Sequence, residues 1–471
     1  MNIVVIGTGY VGLVTGCCLA EAGNHVVCVD RDNAKIATLG TGRAPFYEPG
    51  LNDVLKSQLA AGRLTFETRI TAATENADLV FLAVGTPPDA NGHPNLDSLL
   101  NCVRELAQVA LGDCLVVVKS TVPVGTADRI EAMLNNARPA RAGCRPVRVA
   151  SNPEFLAEGR AVQDFRQPDR IVIGSNDPQS AAVLERLYDC FDPDGKRLLF
   201  MDRRSAEFGK YACNAMLAAR ISMVNELAGL AGRLGADIHA ICRVMAGDPR
   251  IGAHYLRPGV GFGGSCLPKD LRALIGFAHA IDEPVDMLNS TQRVNQRQVQ
   301  RLLHTLRDHL GCLTAQRIAI WGLAFKPDTD DVRAAPSLAL IRGLLAEGAR
   351  VSAYDPAAMV TARQSLGETS VFFGTSALEI CDKADALVLM TEWNDFRDPD
   401  FRTLATLMRT PRIFDARALY HTTTLEQHGI EHYPIGTMHE RVPPDTSKPR
   451  QQASRSQTPS SGNAVIYGRF S

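Results

Sequence analysis

The chain has no long apolar run: nowhere in its 471 residues does a stretch approach the roughly 20 needed to cross a bilayer. Its start, MNIVVIGTGYVG, carries no basic stretch ahead of the first apolar residues, so no secretory signal is expected. An excess of one charge is missing too. Lys and Arg number 50 against 51 Asp and Glu, a formal net charge of -1. That balance argues against a nucleic-acid partner, an acidic membrane surface or membrane insertion. The 12 cysteines include no CxxC pair and no recurring spacing, and the histidines do not sit beside them at ligand spacings. No metal is therefore expected, and the thiols are expected to be reduced, in a cytoplasm.

What remains is an ordinary globular composition, 45% hydrophobic and 21% charged, in a chain too long for one core. IVVIG (3–7) is a β-branched run, residues 10–22 follow a helical apolar pattern, and HVVCVD (25–30) is a second strand. NADLVFLAVGTP (76–87) and LVVVKSTVPVGT (115–126) read as further buried strands with helical stretches between them. Such alternation implies a parallel sheet covered on both faces.

A weaker copy follows near the C-terminus, in RIAIWGLAF (317–325), EGARVSAYDP (347–356) and KADALVLMTEW (383–393). Each copy closes its second strand with an aspartate, Asp30 or Asp355. Between them, residues 204–235 contain no proline and are rich in Ala, Leu and Met, which predicts one long helix. Its small residues would let other helices approach closely.

The expected fold is α/β: two Rossmann-like doubly wound domains joined by a long central helix, with a disordered C-terminal tail. The expected divisions are 1–203 for a cofactor domain, 204–300 for the central helix and the Cys266 loop, 301–437 for the second domain, and 438–471 for the tail. The tail is rich in Ser, Pro, Gln and Arg and nearly free of large apolar residues, so it cannot repay its ordering entropy.

GTGYVG (7–12) follows a strand, opens a helix, and is succeeded by Asp30 at the end of the second strand. In that context it reads as a dinucleotide site. Gly7 permits the tight turn, Gly9 the approach of the pyrophosphate, and Gly12 close helix packing, with the phosphates on the helix N-terminus. Asp30 would accept hydrogen bonds from the adenosine ribose and repel a 2′-phosphate, which favours NAD, although Arg31 next to it keeps NADP open.

GVGFGGSCLPKD (259–270) encloses Cys266 among glycines 259, 261, 263 and 264, which would let the loop pass close to a bulky substrate. Taking an alcohol beyond the aldehyde to an acid calls for a nucleophilic thiol, an oxyanion stabiliser and a base that activates water. Lys269, if near, would favour the thiolate. Glu154 and Glu158 in SNPEFLAEGRA (151–161) suit a substrate loop with a general base, or the first turn of a helix. Lys210 and Asn214 share a helix face, and Thr121 follows a strand at the carboxyl edge where such sheets bind ligands.

YVGLVTG, FLAVGTP, KSTVPVGT, NPEFLAEG, KYACNAMLA, GFGGSCLPKD and GLAFKPDTDDVR together resemble the motifs of the nucleotide-sugar dehydrogenases, and among them the UDP-glucose 6-dehydrogenases. The resemblance runs in order from about residue 1 to 437. It implies oxidation of UDP-glucose to UDP-glucuronate with two NAD, no metal, and a homodimer or higher homo-oligomer.

By position, it makes Cys266 the nucleophile, Glu154 the acid of thioester hydrolysis, Lys210 an oxyanion stabiliser and Asp270 its partner. Asn214 and Thr121 would hold the sugar and the catalytic water. NAD would lie against Gly7, Gly9, Tyr10, Val11, Gly12, Asp30, Lys35, Thr86, Thr121, Glu158, Lys269 and Arg333. The sugar nucleotide would meet Phe155, Leu156, Ala157, Glu158, Lys210, Asn214, Tyr255, Leu256, Gly263, Lys326 and Arg417, with Arg250 reaching it from a neighbouring subunit. Sister enzymes acting on GDP-mannose or UDP-N-acetyl sugars share these motifs. A two-electron hydroxyacid dehydrogenase would leave Cys266 and Glu154 without work, and a non-catalytic NAD-binding scaffold would not need the catalytic set at all.

Overall fold

A computed structural model of the chain describes residues 1–70, 74, 76–89, 92–109, 111, 113–137 and 146–436. The tail expected to be disordered lies outside the described residues.

The first sheet contains β1 (Asn2–Ile6), β2 (His25–Val29), β3 (Leu64–Glu67), β4 (Leu79–Leu82), β5 (Leu115–Val118), β6 (Arg148–Ser151), β7 (Ile171–Gly174) and β8 (Leu198–Met201). Its order is β3-β2-β1-β4-β5-β6-β7-β8, parallel throughout except where β6 meets β7. The short runs NIVVI, LVFL and LVVV form central strands because both sheet faces are covered, and their side chains divide between two apolar cores. Strand order reverses between β1 and β4, which opens a crevice at their carboxyl ends.

The second sheet contains β9 (Arg317–Trp321), β10 (Arg350–Tyr354), β11 (Phe372–Phe373), β12 (Ala386–Leu389), β13 (Arg412–Asp415) and β14 (Glu431–Pro434). It is wholly parallel, in the order β11-β10-β9-β12-β13-β14. Trp321 and Phe396 stack at the centre of its core.

The predicted long helix is present as Arg203–Leu234. Asp202 caps its start through the Ser205 N–H, and Gly235, at φ 70°, ends it in the left-handed conformation. Its small residues work as expected: Ala215 and Ala218 pack against Phe262, Leu271 and Ile275, and Ala228 and Ala231 against Ile238.

The two sheets use the same turn differently. After β1, Gly7 (φ 100°) turns the chain, and a side chain at Gly12 would stand 1.9 Å from the Gly7 carbonyl oxygen. A side chain at Gly9 would meet nothing within 4 Å. That is open space over the start of the helix Tyr10–Glu21, whose N-cap, Gly9, supplies no side-chain cap. After β9, Gly322 (φ 92°) makes the equivalent turn, but no second glycine follows.

Its aspartate, Asp355, is buried and fully engaged by protein donors. Oδ2 accepts from the Leu323 and Ala324 N–H groups and the Trp393 indole, and Oδ1 from the Ala357 and Ala358 N–H groups. The second turn is thus closed on itself, and the first is open. Asp355→Asn would place an amide N–H₂ against backbone N–H groups. It should lower the thermal midpoint by several °C, corresponding to about 1–3 kcal/mol for unpaired buried donors; an unchanged melting curve would contradict the closed-turn assignment.

Candidate active site

Lys210 and Asn214 lie on the buried face of the central helix, one turn apart. Glu154 is brought to them by the loop after β6, which stays irregular until a helix begins at Ala161. The Lys210 ammonium sits 3.0 Å from Glu154 Oε1, both side chains almost wholly buried. The Leu156 N–H donates to Glu154 Oε2 at 2.6 Å. Burial would raise the Glu154 pKa, but Lys210 and the Leu156 N–H reverse this and hold it below the usual carboxylate range. Burial likewise works against a charged Lys210, yet Glu154, Cys266 and Asp270 together raise its pKa. The pair is therefore ionic.

Cys266 stands at the N-terminus of the helix Leu267–His279, with Pro268 in the first turn. Asp270, one turn in and 1% exposed, accepts from Asn214 Nδ2 at 2.6 Å and pairs with Lys269. Sequence reasoning gave Lys269 the task of favouring the thiolate; the structure turns its ammonium onto Asp270, and Lys210 is the cation acting on the thiol. Burial and the charges of Glu154 and Asp270 push the Cys266 thiol up, against Lys210 and a hydrogen bond shared with Ser265. At rest Cys266 is a thiol, and it would need a base to act as a nucleophile.

The glycines around it also differ from expectation. A side chain at Gly261 (φ 104°) would meet Asn295 Oδ1 at 2.6 Å, one at Gly263 the Ala334 carbonyl oxygen at 2.5 Å, and one at Gly264 the Phe325 ring at 2.8 Å. Their bareness lets the loop press against protein in the second half of the chain, rather than leaving the space to substrate.

Glu158 bridges to that half. Its carboxylate accepts from Ser265, next to the thiol, and from Thr329, and it faces Arg333 at 3.5 Å. Burial, then the charge of Asp331, raises its pKa to about 7.

On the cofactor side, Asp30 Oδ2 accepts from the Thr8 N–H (3.0 Å), the Thr8 hydroxyl (2.7 Å) and Lys35 (2.9 Å). Burial opposes its charge, but these bonds bring its pKa to about 2. The Thr86 hydroxyl donates to the Thr121 carbonyl across the ends of β4 and β5. Open space at Gly9, uncapped N–H groups at the first helix and an ionised Asp30 fit a dinucleotide.

A cavity of about 580 Å³ opens beside Glu154 and is lined by Phe155, Leu156, Ala157, Tyr255 and Lys326, among others. The Phe155 ring lies between Arg170, 4.0 Å from its centre, and Lys210 at 5.1 Å. Leu256 is buried nearby in sequence, while Tyr255 holds a positive φ of 61°.

Two further expected contacts are engaged by protein groups. Arg417 is held by the Met390 and Phe325 carbonyls and by Glu392. Arg250 is 88% exposed and pairs with Asp248.

Several residues were missed from sequence. Glu48 accepts from the Tyr10 hydroxyl and the Gly159 and Ala161 N–H groups, tying the glycine-turn helix to the Glu158 loop. Glu207 accepts from the Gly125 and Ala127 N–H groups and so pins the segment after Thr121 to the central helix. Ser265, Thr329 and Lys119 also escaped. Ser265 stands next to Cys266 and Lys119 two residues before Thr121, which are local signals, whereas nothing local marks Glu48.

The state of the thiol is testable. At pH 7.5 iodoacetamide should alkylate Cys266 far more slowly than the exposed Cys312, whose pKa is lowered by hydrogen bonds from Thr314. Cys266 should catch up only above the ordinary thiol range. Equal rates in a peptide map would contradict a protonated resting thiol.

The geometry agrees with what the chain is similar to. Residues 1–192 match the NAD-binding domain of the UDP-glucose/GDP-mannose dehydrogenase family, 204–297 its central domain and 319–422 its UDP-binding domain. A UDP-glucose 6-dehydrogenase of Pseudomonas aeruginosa is 46% identical over 441 residues, covering 93% of this chain and 97% of the relative. A UDP-glucose dehydrogenase structure from Pyrobaculum islandicum superposes with a TM-score of 0.84 at 37% identity, covering 93% of this chain and 98% of that one. A UDP-D-ManNAc dehydrogenase structure from Pyrococcus horikoshii gives 0.80 at 27%, covering 93% and 99%. With all three domain patterns matched in order, and Cys266 beside buried Lys210, Glu154 and Asp270, the chain belongs to the UDP-glucose/GDP-mannose dehydrogenase family.

Proposed function

We propose that the chain oxidises UDP-glucose to UDP-glucuronate, consuming two NAD and one water and releasing two NADH and three protons. The observation that carries this reading is the buried set of Cys266, Lys210, Glu154, Asp270 and Asn214. A two-electron alcohol dehydrogenase has no use for the thiol or for a buried carboxylate beside it.

In this reading the cofactor lies on residues 1–203, the nucleotide sugar meets residues 301–437, and residues 204–300 hold the chemistry between them. Asp30, Lys35 and the open turn at Gly9 bind NAD, with Tyr10, Val11, Thr86, Thr121, Glu158, Lys269 and Arg333 around it. When bound, that cofactor accepts a hydride from C6 of the sugar at each of two successive oxidations.

The Lys210 ammonium donates to the C6 oxygen and, with the Asn214 amide, stabilises the negative charge that grows there as the hydroxyl proton passes to water; Asp270 holds that amide and the Lys269 ammonium in place. At the aldehyde stage Cys266 Sγ bonds to C6, the carbonyl π pair moves onto the C6 oxygen beside Lys210, and the thiol proton passes to water. After the second oxidation C6 is a thioester. Glu154 takes a proton from water as that water bonds to C6; the C6–Sγ bond breaks and the thiol is restored. Phe155, Leu156, Ala157, Tyr255, Leu256, Gly263, Lys326 and Arg417 are the proposed sugar-nucleotide contacts.

We also propose a homodimer or higher assembly. Met216, Met223 and Leu230 recur every seven residues along one side of the central helix and are 64%, 54% and 53% exposed, a stripe that a second copy would cover. Arg250, exposed on its own subunit, would then reach a neighbour's site. Among the described residues every cysteine is free, which supports a reducing cytoplasm; no described helix is long and apolar enough to cross a membrane.

The reading is tested by NADH formed per sugar consumed, with UDP-glucose, UDP-N-acetylglucosamine, UDP-N-acetylmannosamine and GDP-mannose compared. Two NADH from UDP-glucose are expected; one would remove the covalent mechanism, and two from another sugar would move the substrate assignment. For the assembly, light scattering should give at least a dimer, and Met223→Lys should shift it towards monomer; a native monomer would contradict the stripe's role.

A further inference from the structure

Lys119 follows directly on β5 and is 5% exposed, yet its ammonium touches only neutral groups. It lies 2.9 Å from Asn152 Oδ1 and 3.5 Å from the Tyr188 hydroxyl, with the Phe165 and Tyr188 rings 5.9 and 5.7 Å away. Among the described residues no carboxylate stands at ion-pair distance from it. A buried cation without a counter-ion costs several kcal/mol, so the fold retains it against a penalty.

The charges that reach Lys119 are Glu154, on the loop after β6, and Lys210, on the central helix. Tyr188 faces it from the helix Pro178–Tyr188, and the cavity it borders adds Asp164, Asp169 and Arg170. Burial lowers its pKa to about 8, while the Glu154 charge works the other way.

The need for a second cation follows from the double duty of Lys210. At rest it neutralises Glu154, but in the reaction proposed above it must also serve the C6 oxygen. If its hydrogen bond turns to substrate, Glu154 keeps the Leu156 N–H and little else, and a buried carboxylate without a cation takes up a proton. A protonated Glu154 cannot accept one from water.

We propose that Lys119 is a positioning residue that keeps Glu154 ionised while Lys210 serves the substrate, and that through Asn152 it holds the loop carrying Glu154. The step it protects is thioester hydrolysis; the two hydride steps do not require it. The inference rests on the function proposed above and adds the residue that lets one lysine do two tasks.

The test follows NADH by stopped flow in the full-length native enzyme, Lys119→Met and Lys119→Arg, with saturating UDP-glucose and NAD. Two NADH per sugar in the native enzyme checks the underlying reading; failure there would sink the function and not the Lys119 assignment alone. With that control met, Lys119→Met should give a burst of up to two NADH per site, followed by a steady rate lowered about tenfold or more, with KM for UDP-glucose within about threefold.

Loss of a cation raises the Glu154 pKa, so the acid limb of steady turnover should move to higher pH in Lys119→Met. Lys119→Arg, which keeps the charge, should retain the native balance of burst and steady rate. Burst and steady rate falling together, a steady rate unchanged in Lys119→Met, or Lys119→Arg behaving like Lys119→Met would each overturn the proposal.

Discussion

The constraint on which the structure turns is the burial of the Lys210–Glu154 ion pair. Both groups leave water almost completely, which costs several kcal/mol per ion unless geometry and hydrogen bonds return it. Removing one partner would strand the other charge, at about 3–5 kcal/mol. The pair therefore exists only because a rigid helix delivers Lys210 and a fixed loop delivers Glu154. The loop is irregular, so its backbone donors must be satisfied one by one. Leu156 gives its N–H to Glu154, Ala157 to Asp164, and Gly159 and Ala161 to Glu48.

Carboxylates used as clasps recur around the site. Glu48 joins the glycine-turn helix to the catalytic loop, Glu207 joins the Thr121 segment to the central helix, and Glu158 joins the same loop to Ser265 and to the second half of the chain. Each links segments far apart in sequence, and Glu158 reaches Cys266 through Ser265. Asp30 and Asp355 show how one fold serves two ends. Both give their oxygens to protein donors, but Asp355 is sealed in by backbone N–H groups and the Trp393 indole, whereas Asp30 stands beside the open turn at Gly9 and is held ionised by Lys35 and Thr8.

Much of this was legible before any coordinates. The β-branched runs at β1, β2, β4 and β5, the repeat of their pattern at β9, β10 and β12, and the proline-free stretch of the central helix state the architecture through periodicity and propensity alone. Cys266, Lys210, Glu154 and Asp270 were legible because their motifs are ordered and specific.

The roles of their neighbours were not legible. Whether Lys269 faces the thiol or Asp270 depends on a rotamer at a helix start. Whether the glycines of the Cys266 loop yield to substrate or to Phe325 and Ala334 depends on packing from residues 60 or more positions away. Glu48 carries no local signal at all, since an acid in an irregular segment reads as solvated surface until its three donors are seen.

In the proposed mechanism the Cys266 sulfur carries the sugar between two oxidations. The most direct test is intact-mass spectrometry of Glu154→Gln, quenched in acid during turnover with UDP-glucose and NAD, followed by peptide mapping. A UDP-glucuronyl adduct confined to Cys266, and absent when that residue is serine, is expected. Free enzyme alone, at a time when NADH has already formed, would contradict it.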